Sequence, residues 1–202
     1  IEVFWVAKQA RFMGQHRAEF EKIGVRLMLV ASPDTLALLG NKGEFYRLLP
    51  PEVALAMDCI SVTDKTGFDQ AVQTLALKHK SLCVKPAVSV FGLGFRILDT
   101  ERDSITHLLN GVEYQIPLPE LRMGMENTPE FPELLVMENL SGQEWSVDCA
   151  GREGELLCAI QRRKLAAGLG QVIDNHDEIQ GMVQRLTAYF KLNGLFNIQF
   201  KQ

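Results

Sequence analysis

The sequence predicts an α+β chain, on three observations. Near the N-terminus, nearly continuous apolar runs alternate with helix-type patterns, as in strand–helix–strand units covered on both faces. Between residues 134 and 161, three strand-type runs follow one another across short turns, and EWSVDCA alternates apolar and polar residues as a sheet with one covered face does. A long amphipathic helix then separates these runs from a last strand. With 202 residues, 47% of them hydrophobic, the chain can bury a substantial core.

IEVFWVA, residues 1–7, is strand-like. QHRAEFEKIG places Phe20 and Ile23 on one helical face before Gly24 stops it, and VRLMLVAS, residues 25–32, has the pattern of a buried strand. Together they read as one βαβ unit. Ser32-Pro33 starts a helix, with a Ser cap and Pro in the first turn. Asn41 and Glu44 read as a capping box that opens KGEFYRLL, closed by Pro50-Pro51. Lys42 then stands at a helix N-terminus, where a cation opposes the dipole; an anionic ligand would relieve the conflict, and a solvated surface lysine is the plain alternative. DCISVTD reads as a strand and its exit, and Phe68, Val72, Leu75 and Ala76 mark a helix over residues 66–79. SLCVKPAVSV is a strand with one charge in it: Lys85, before Pro86, either snorkels to an edge or meets an anion.

In VFGLGFRILDT, Gly92 and Gly94 hint at a dinucleotide fingerprint, but Ile97 occupies the third glycine position and FRIL favours a strand where that motif needs a helix. The segment reads instead as a hairpin flap, whose amides can close over phosphates, or as an ordinary hairpin turn. TERDSITHLLNG predicts a short helix with Ile105, Leu108 and Leu109 on its buried side, Gly111 as its stop, and His107 packed or solvated rather than catalytic. From Gly111 to Pro132 the prolines and glycines predict loop. Strands follow at LLVME, EWSVDCA and ELLCAIQ, with Glu138 and Glu144 on either side of a Ser141-Gly142 turn expected to reverse the chain tightly. DEIQGMVQRLTAYFKLNG is amphipathic through its apolar positions 179, 182, 183, 186 and 190. In LFNIQF, Asn197 and Gln199 share one face, opposite Phe196, Ile198 and Phe200.

A net charge of −4 argues against an electrostatic grip on nucleic acid or on an anionic membrane. Cys59, Cys83, Cys149 and Cys158 are widely spaced, form no zinc-type pair and read as reduced thiols of a cytoplasmic protein. No apolar run approaches the roughly 20 residues that span a bilayer. The chain lacks a secretory leader pattern and an initiator Met, and is expected to be a piece of something longer.

Lys42 on a helix, VKP at 84–86, a Gly loop at 92–94, MENLSGQEWSVD at 137–148 and a terminal FNIQF, in this order, resemble the ATP-grasp family, most nearly the ATP-binding halves of carbamoyl-phosphate synthetase and similar carboxylate ligases. The resemblance covers about residues 33–202 and implies a small lid, at about 80–137, beside a larger antiparallel sheet with helices, the nucleotide lying between them. Residues 1–32 would be the tail of a preceding Rossmann-like α/β domain. The resemblance assigns Lys42 and Lys85 to the ATP phosphates, and Ser89, Val90, Gly92 and Gly94 to the flap above them. Glu138, Asn139 and Leu140 would form the adenine hinge, and Glu144 would accept from the ribose hydroxyls. Arg162 and Arg163 would act as catalytic cations toward the transferred phosphoryl group or an anionic substrate, and Gln199 as a ligand to Mg²⁺. Family members continue into a strand with a Glu-x-Asn metal motif, whereas this sequence stops at Lys201-Gln202, so weak metal binding is expected. The implied activity is ATP-driven activation of a small-molecule carboxylate for attack by an amine or similar nucleophile; a nucleotide-binding or regulatory module without ligase activity is the alternative.

Overall fold

The structure is a computed structural model that describes residues 7–89, 92–112, 114–165 and 170–202. Its helices are α1 (Ala7–Gln15), α2 (Arg17–Lys22), α3 (Pro33–Gly40), α4 (Lys42–Leu48), α5 (Lys65–Ala76), α6 (Ser104–Leu109), α7 (Leu118–Glu126) and α8 (Asp177–Tyr189). Its strands are β1 (Cys59–Val62), β2 (Leu82–Pro86), β3 (Arg96–Asp99), β4 (Gln115–Pro117), β5 (Leu134–Glu138), β6 (Glu144–Arg152), β7 (Glu155–Lys164), β8 (Gln171–Ile173) and β9 (Gly194–Lys201). The chain divides into two compact units: one made of the described residues of Ile1–Gly40, Leu48–Leu55 and Ser141–Gln202, the other of Asn41–Arg47 and Ala56–Leu140.

The second unit holds a five-stranded sheet in the order β1-β5-β2-β3-β4. Only β3 and β4 pair in parallel; the other neighbours are antiparallel. β2 and β3 form the expected hairpin, Cys83 facing Ile97, across a turn in which Gly92 and Gly94 adopt φ of +70° and +80°. No helix follows these glycines, so the dinucleotide fingerprint is excluded here as the sequence indicated. One face of the sheet packs Val62, Val84 and Val136 against α5 and α7 residues such as Phe68, Leu75 and Met125. The other face carries Cys83, Leu135 and Met137 under Tyr46 of α4. Asp64 caps α5 by accepting from the Gly67 amide at 2.8 Å.

The first unit holds a four-stranded antiparallel sheet, β8-β7-β6-β9. Trp145, Val147 and Cys149 of β6 and Phe196, Ile198 and Phe200 of β9 meet Ile179 and Val183 of α8 on the covered face. The period-2 pattern of β6 and β9 and the helical pattern of α8 thus form one core, as the sequence predicts.

Five expectations are overturned. Residues 25–32 form no strand: Met28 is 63% exposed, the Leu27 carbonyl accepts from Arg17 Nη1 (3.0 Å) and the Val30 carbonyl from the Asn193 amide (2.7 Å), so donors outside any ladder take these groups. Helix begins at Ala7 rather than after residue 14, and the strand expected at 1–7 lies, apart from Ala7, outside the described residues. The N-terminal βαβ unit is therefore not seen. The segment 111–132 is not all loop, for it contains β4 and α7; Pro117 and Pro119 sit at the start of that helix, where proline is tolerated because the first amides have no intrahelical partner. In α6, Ile105, Leu108 and Leu109 are 63–80% exposed and His107 is 7% exposed, so the helix is turned opposite to its apolar stripe. His107 Nε2 lies 2.8 Å from Asp99 Oδ2, and that pairing decides the face. Finally, β5 and β6 belong to different sheets, so Ser141-Gly142 joins two sheets instead of closing a hairpin.

Candidate functional site

In the second unit, α4 starts at Lys42 because Asn41 Oδ1 accepts from the amides of Gly43 (2.9 Å) and Glu44 (3.2 Å). The reciprocal half of a capping box is missing, since the Glu44 carboxylate accepts from Arg47 at 3.0 Å. Gly43 is required where α4 meets the sheet: a Cβ there would come within 2.9 Å of Ser61 Oγ and of Glu133 Oε1. Lys42 Nζ donates to the Ser89 carbonyl (2.6 Å) and to Ser89 Oγ (3.1 Å). Lys85, entering from β2 on the same face of the sheet, donates to the Tyr46 hydroxyl at 3.2 Å and lies 5.1 Å from the centre of that ring.

Neither lysine has a carboxylate partner among the described residues. Burial lowers the pKa of both ammonium groups, and the charge of Lys85 lowers that of Lys42 further. Burial first, then the charges of Cys59 and Cys83, pushes Tyr46 up to about 12, so its hydroxyl stays protonated while accepting from Lys85. Two cations brought together without a counter-ion constitute a site that favours an anion. The glycine turn lies on the same hairpin as Lys85; a Cβ at Gly94 would meet the Pro86 ring at 2.7 Å. Val90 lies outside the described residues.

The expected hinge leaves the end of β5. Leu135 and Met137 face the Tyr46 side, whereas Val136 faces the α5 side, and the alternation puts Glu138 with Val136. The Glu138 carboxylate therefore points away from the face that carries Lys85, and Glu138 Oε1 meets His79 Nδ1 at 3.2 Å. Asn139 donates from its amide to the Ser81 carbonyl and from Nδ2 to Ser81 Oγ, both at 3.0 Å. Leu140 follows, half-buried.

In the first unit, the sheet face opposite α8 is polar. Directly opposed residues of an antiparallel pair share a face, so the pairings of Glu144 with Lys201, Ser146 with Arg162 and Gln199, and Asp148 with Asn197 line up on that face. Glu144 accepts from Lys164 Nζ, and both line a cavity of about 600 Å³ with Gln143, Gln171 and Lys201. Arg162 pairs with Asp148 at 2.7 Å and also donates to Gln171, while its Nε is buried with no partner among the described residues. Asn197 Nδ2 donates to Asp148 Oδ1 (2.8 Å) and Ser146 Oγ (2.9 Å). Asp148 is held below the usual carboxylate range by Arg162 and Asn197, against the opposing effect of its desolvation. Arg163, opposed to Trp145, emerges on the other face and pairs with Asp174 at 2.6 Å. The two arginines thus do not reach one ligand. Adjacent strand residues always face opposite ways, so this was readable in the RR dipeptide itself.

Sequence reasoning missed Tyr46, His79 and Lys164, which contact Lys85, Glu138 and Glu144. Tyr46 and His79 carry no motif signal, and their partners lie far along the chain. Lys164 had one: it follows two residues already under suspicion, on the parity that Arg162 shares.

Residues 130–202 match the family model described as ATP-grasp in the biosynthetic pathway with Ter operon. The chain is similar to D-alanyl-alanine synthetase A from Vibrio cholerae (TM-score 0.63, 17% identity, over 94% of this chain and 59% of that one). It is also similar to N5-carboxyaminoimidazole synthetase from Staphylococcus aureus complexed with ADP (TM-score 0.58, 16% identity, over 93% of this chain and 45% of that one). A curated relative, the FAD synthase of Methanosphaerula palustris, is 34% identical over 107 residues, 52% of this chain and 64% of that one. The chain spans less than two thirds of the length of each of these three proteins. The structural likenesses show a shared fold.

Proposed function

We propose, from the premise that this chain is an ATP-grasp protein, that it forms the nucleotide-binding core of a ligase that activates a small-molecule carboxylate with ATP. In this reaction a carboxylate oxygen attacks the γ-phosphorus and ADP leaves; an amine or similar nucleophile then attacks the acyl carbon and expels phosphate. The observation that carries the proposal is the pair Lys42 and Lys85, two cations held beside the glycine turn with no carboxylate partner among the described residues. Phosphate oxygens supply the charge they lack, and phosphoryl transfer is assisted chiefly by such positioning and neutralisation.

The remaining assignments follow the same chemistry. The amides of the Gly92–Gly94 turn and Ser89 cover the phosphates, the backbone of Asn139 and Leu140 meets adenine, and Glu144 accepts from the ribose hydroxyls once Lys164 yields it. Arg162, whose Nε has no partner among the described residues, is the arginine suited to the transferred phosphoryl group; Arg163, on the other face, is not. Mg²⁺ serves such transfers by neutralising phosphate charge. The residues here do not make a site for it by themselves: Gln199 offers one neutral oxygen, Asp148 is engaged by Arg162 and Asn197, and no cluster of three His, Cys, Asp or Glu exists among the described residues. No step is assigned to a metal. Among the described residues no helix is long and apolar enough to cross a membrane.

Calorimetric titration with the non-hydrolysable analogue AMP-PNP, with and without Mg²⁺, tests the proposal. Lys85→Ala is expected to weaken binding at least about tenfold, as the loss of a charge-assisted contact does. Equal affinity in the wild type and Lys85→Ala overturns it. ADP and phosphate release, screened over amino and hydroxy acids, then identifies the carboxylate; binding with no release under any acid reassigns the chain as a nucleotide-binding module.

A further inference from the structure

We infer that His79 is a positioning residue for the adenine end of the site, holding the hinge through the Glu138 carboxylate, a role that rests on the nucleotide-binding function proposed above. His79 stands between two carboxylates: its Nε2 is 2.9 Å from Asp58 Oδ2 and its Nδ1 is 3.2 Å from Glu138 Oε1. A carboxylate accepts hydrogen bonds and each protonated ring nitrogen donates one, so a single imidazole can bridge the two. The His79 amide closes the last turn of α5 by donating to the Leu75 carbonyl at 2.9 Å, which anchors the residue at the end of that helix.

The charged groups facing the ring are Asp58, ahead of β1, Glu138, at the end of β5, and Lys78, whose Nζ is 3.6 Å from the same Asp58 oxygen. Lys78 is exposed and reaches Asp58, so among the described residues His79 is the one basic side chain that reaches Glu138. The hinge is tethered on both sides of this bridge. The Glu138 amide donates to the Asp58 carbonyl at 3.1 Å, and Asn139 is held by Ser81, two residues beyond His79. One ring therefore ties the start of β1, the end of α5 and the residue from which Asn139 and Leu140 depart.

Glu138 lies on the α5 side of the sheet and Lys85 on the Tyr46 side, so the inference separates two ligands. AMP-PNP needs both the hinge and the lysines, whereas inorganic tripolyphosphate needs only the lysines. In the full chain, His79→Ala and Glu138→Gln are each expected to weaken AMP-PNP binding about tenfold while leaving tripolyphosphate within twofold of wild type. His79→Lys, which places a basic side chain at this position, should recover part of the AMP-PNP affinity without changing that for tripolyphosphate. Unchanged AMP-PNP affinity in His79→Ala, or proportional loss of both ligands, overturns the positioning role while leaving the nucleotide function standing. A wild type that binds neither ligand overturns both.

Discussion

Lys85 sits in a strand that is otherwise apolar, between Val84 and Pro86, with an aromatic ring and a hydroxyl as its partners and, among the described residues, no carboxylate. A lysine whose pKa is lowered in the fold opposes folding while it is charged, and the penalty diminishes as pH rises through the lowered value toward the ordinary one near 10.5. Lys85→Met is therefore expected to raise Tm by about 2–4 °C at pH 7 while costing at least about tenfold in AMP-PNP affinity, a trade of stability for function. Scanning fluorimetry beside calorimetry measures both; a lower Tm in Lys85→Met would show that the cation is already compensated. At this scale the sequence was informative where a residue contradicted its surroundings, as Lys85 and Lys42 do. It was silent on Tyr46, 39 positions away from the lysine it supports, because a tyrosine in a short helix contradicts nothing.

Helix α4 shows how closely an element is seated. Gly43 leaves no room for a methyl group against Ser61 and Glu133, with Leu135 Cδ2 at 3.1 Å. Gly43→Ala should destabilise by about 1–3 kcal/mol from overpacking, more than offsetting alanine's better helix propensity. Urea unfolding measures it; stabilisation would mean that α4 shifts freely. Helix α6 is the opposite case, an element oriented by a polar contact. The Asp99 carboxyl is kept far below the usual range by the Glu101 amide, then by His107, then by the Arg102 amide and charge. A depressed carboxylate stabilises the fold above its ordinary pKa near 4, and that contribution disappears as pH falls below it. Asp99→Asn should accordingly be less stable at pH 6 and lose less on acidification from pH 4 to pH 2.5, as chemical unfolding across that series would show. Counting Ile105, Leu108 and Leu109 as the buried stripe failed because the helix is oriented by one buried histidine hydrogen-bonded to Asp99, which leaves those three apolar side chains in water.

Each compact unit has its own core, Phe68 with Val136 in one and Val147 with Val183 in the other, all four fully buried. Phe68→Ala is expected to cost about 3–5 kcal/mol and Val147→Ala about 1.5–3 kcal/mol. Their effects should add within about 0.5 kcal/mol in the double variant, since distant sites without shared partners are independent. A coupling well above that, in the same unfolding experiment, would show the cores to be one. Strands β1, β2, β3, β5, β6, β7 and β9 were legible from apolar patterning, and so was the pairing of the β2–β3 hairpin, whereas the short β4 and β8 were not and the strand expected at 25–32 does not form. The placement of β5 between β1 and β2 was not, since each of those pairings spans a long stretch of chain and depends on competition among strands that look alike in composition.

One turn of α4 separates Lys42 from Tyr46, the ring on which Lys85 rests. A displacement of that turn along its axis moves one ammonium directly and the other through its aromatic seat, so both grips tighten or slacken together. In the proposed site, leverage over the triphosphate would then be concentrated in the five residues from Lys42 to Tyr46.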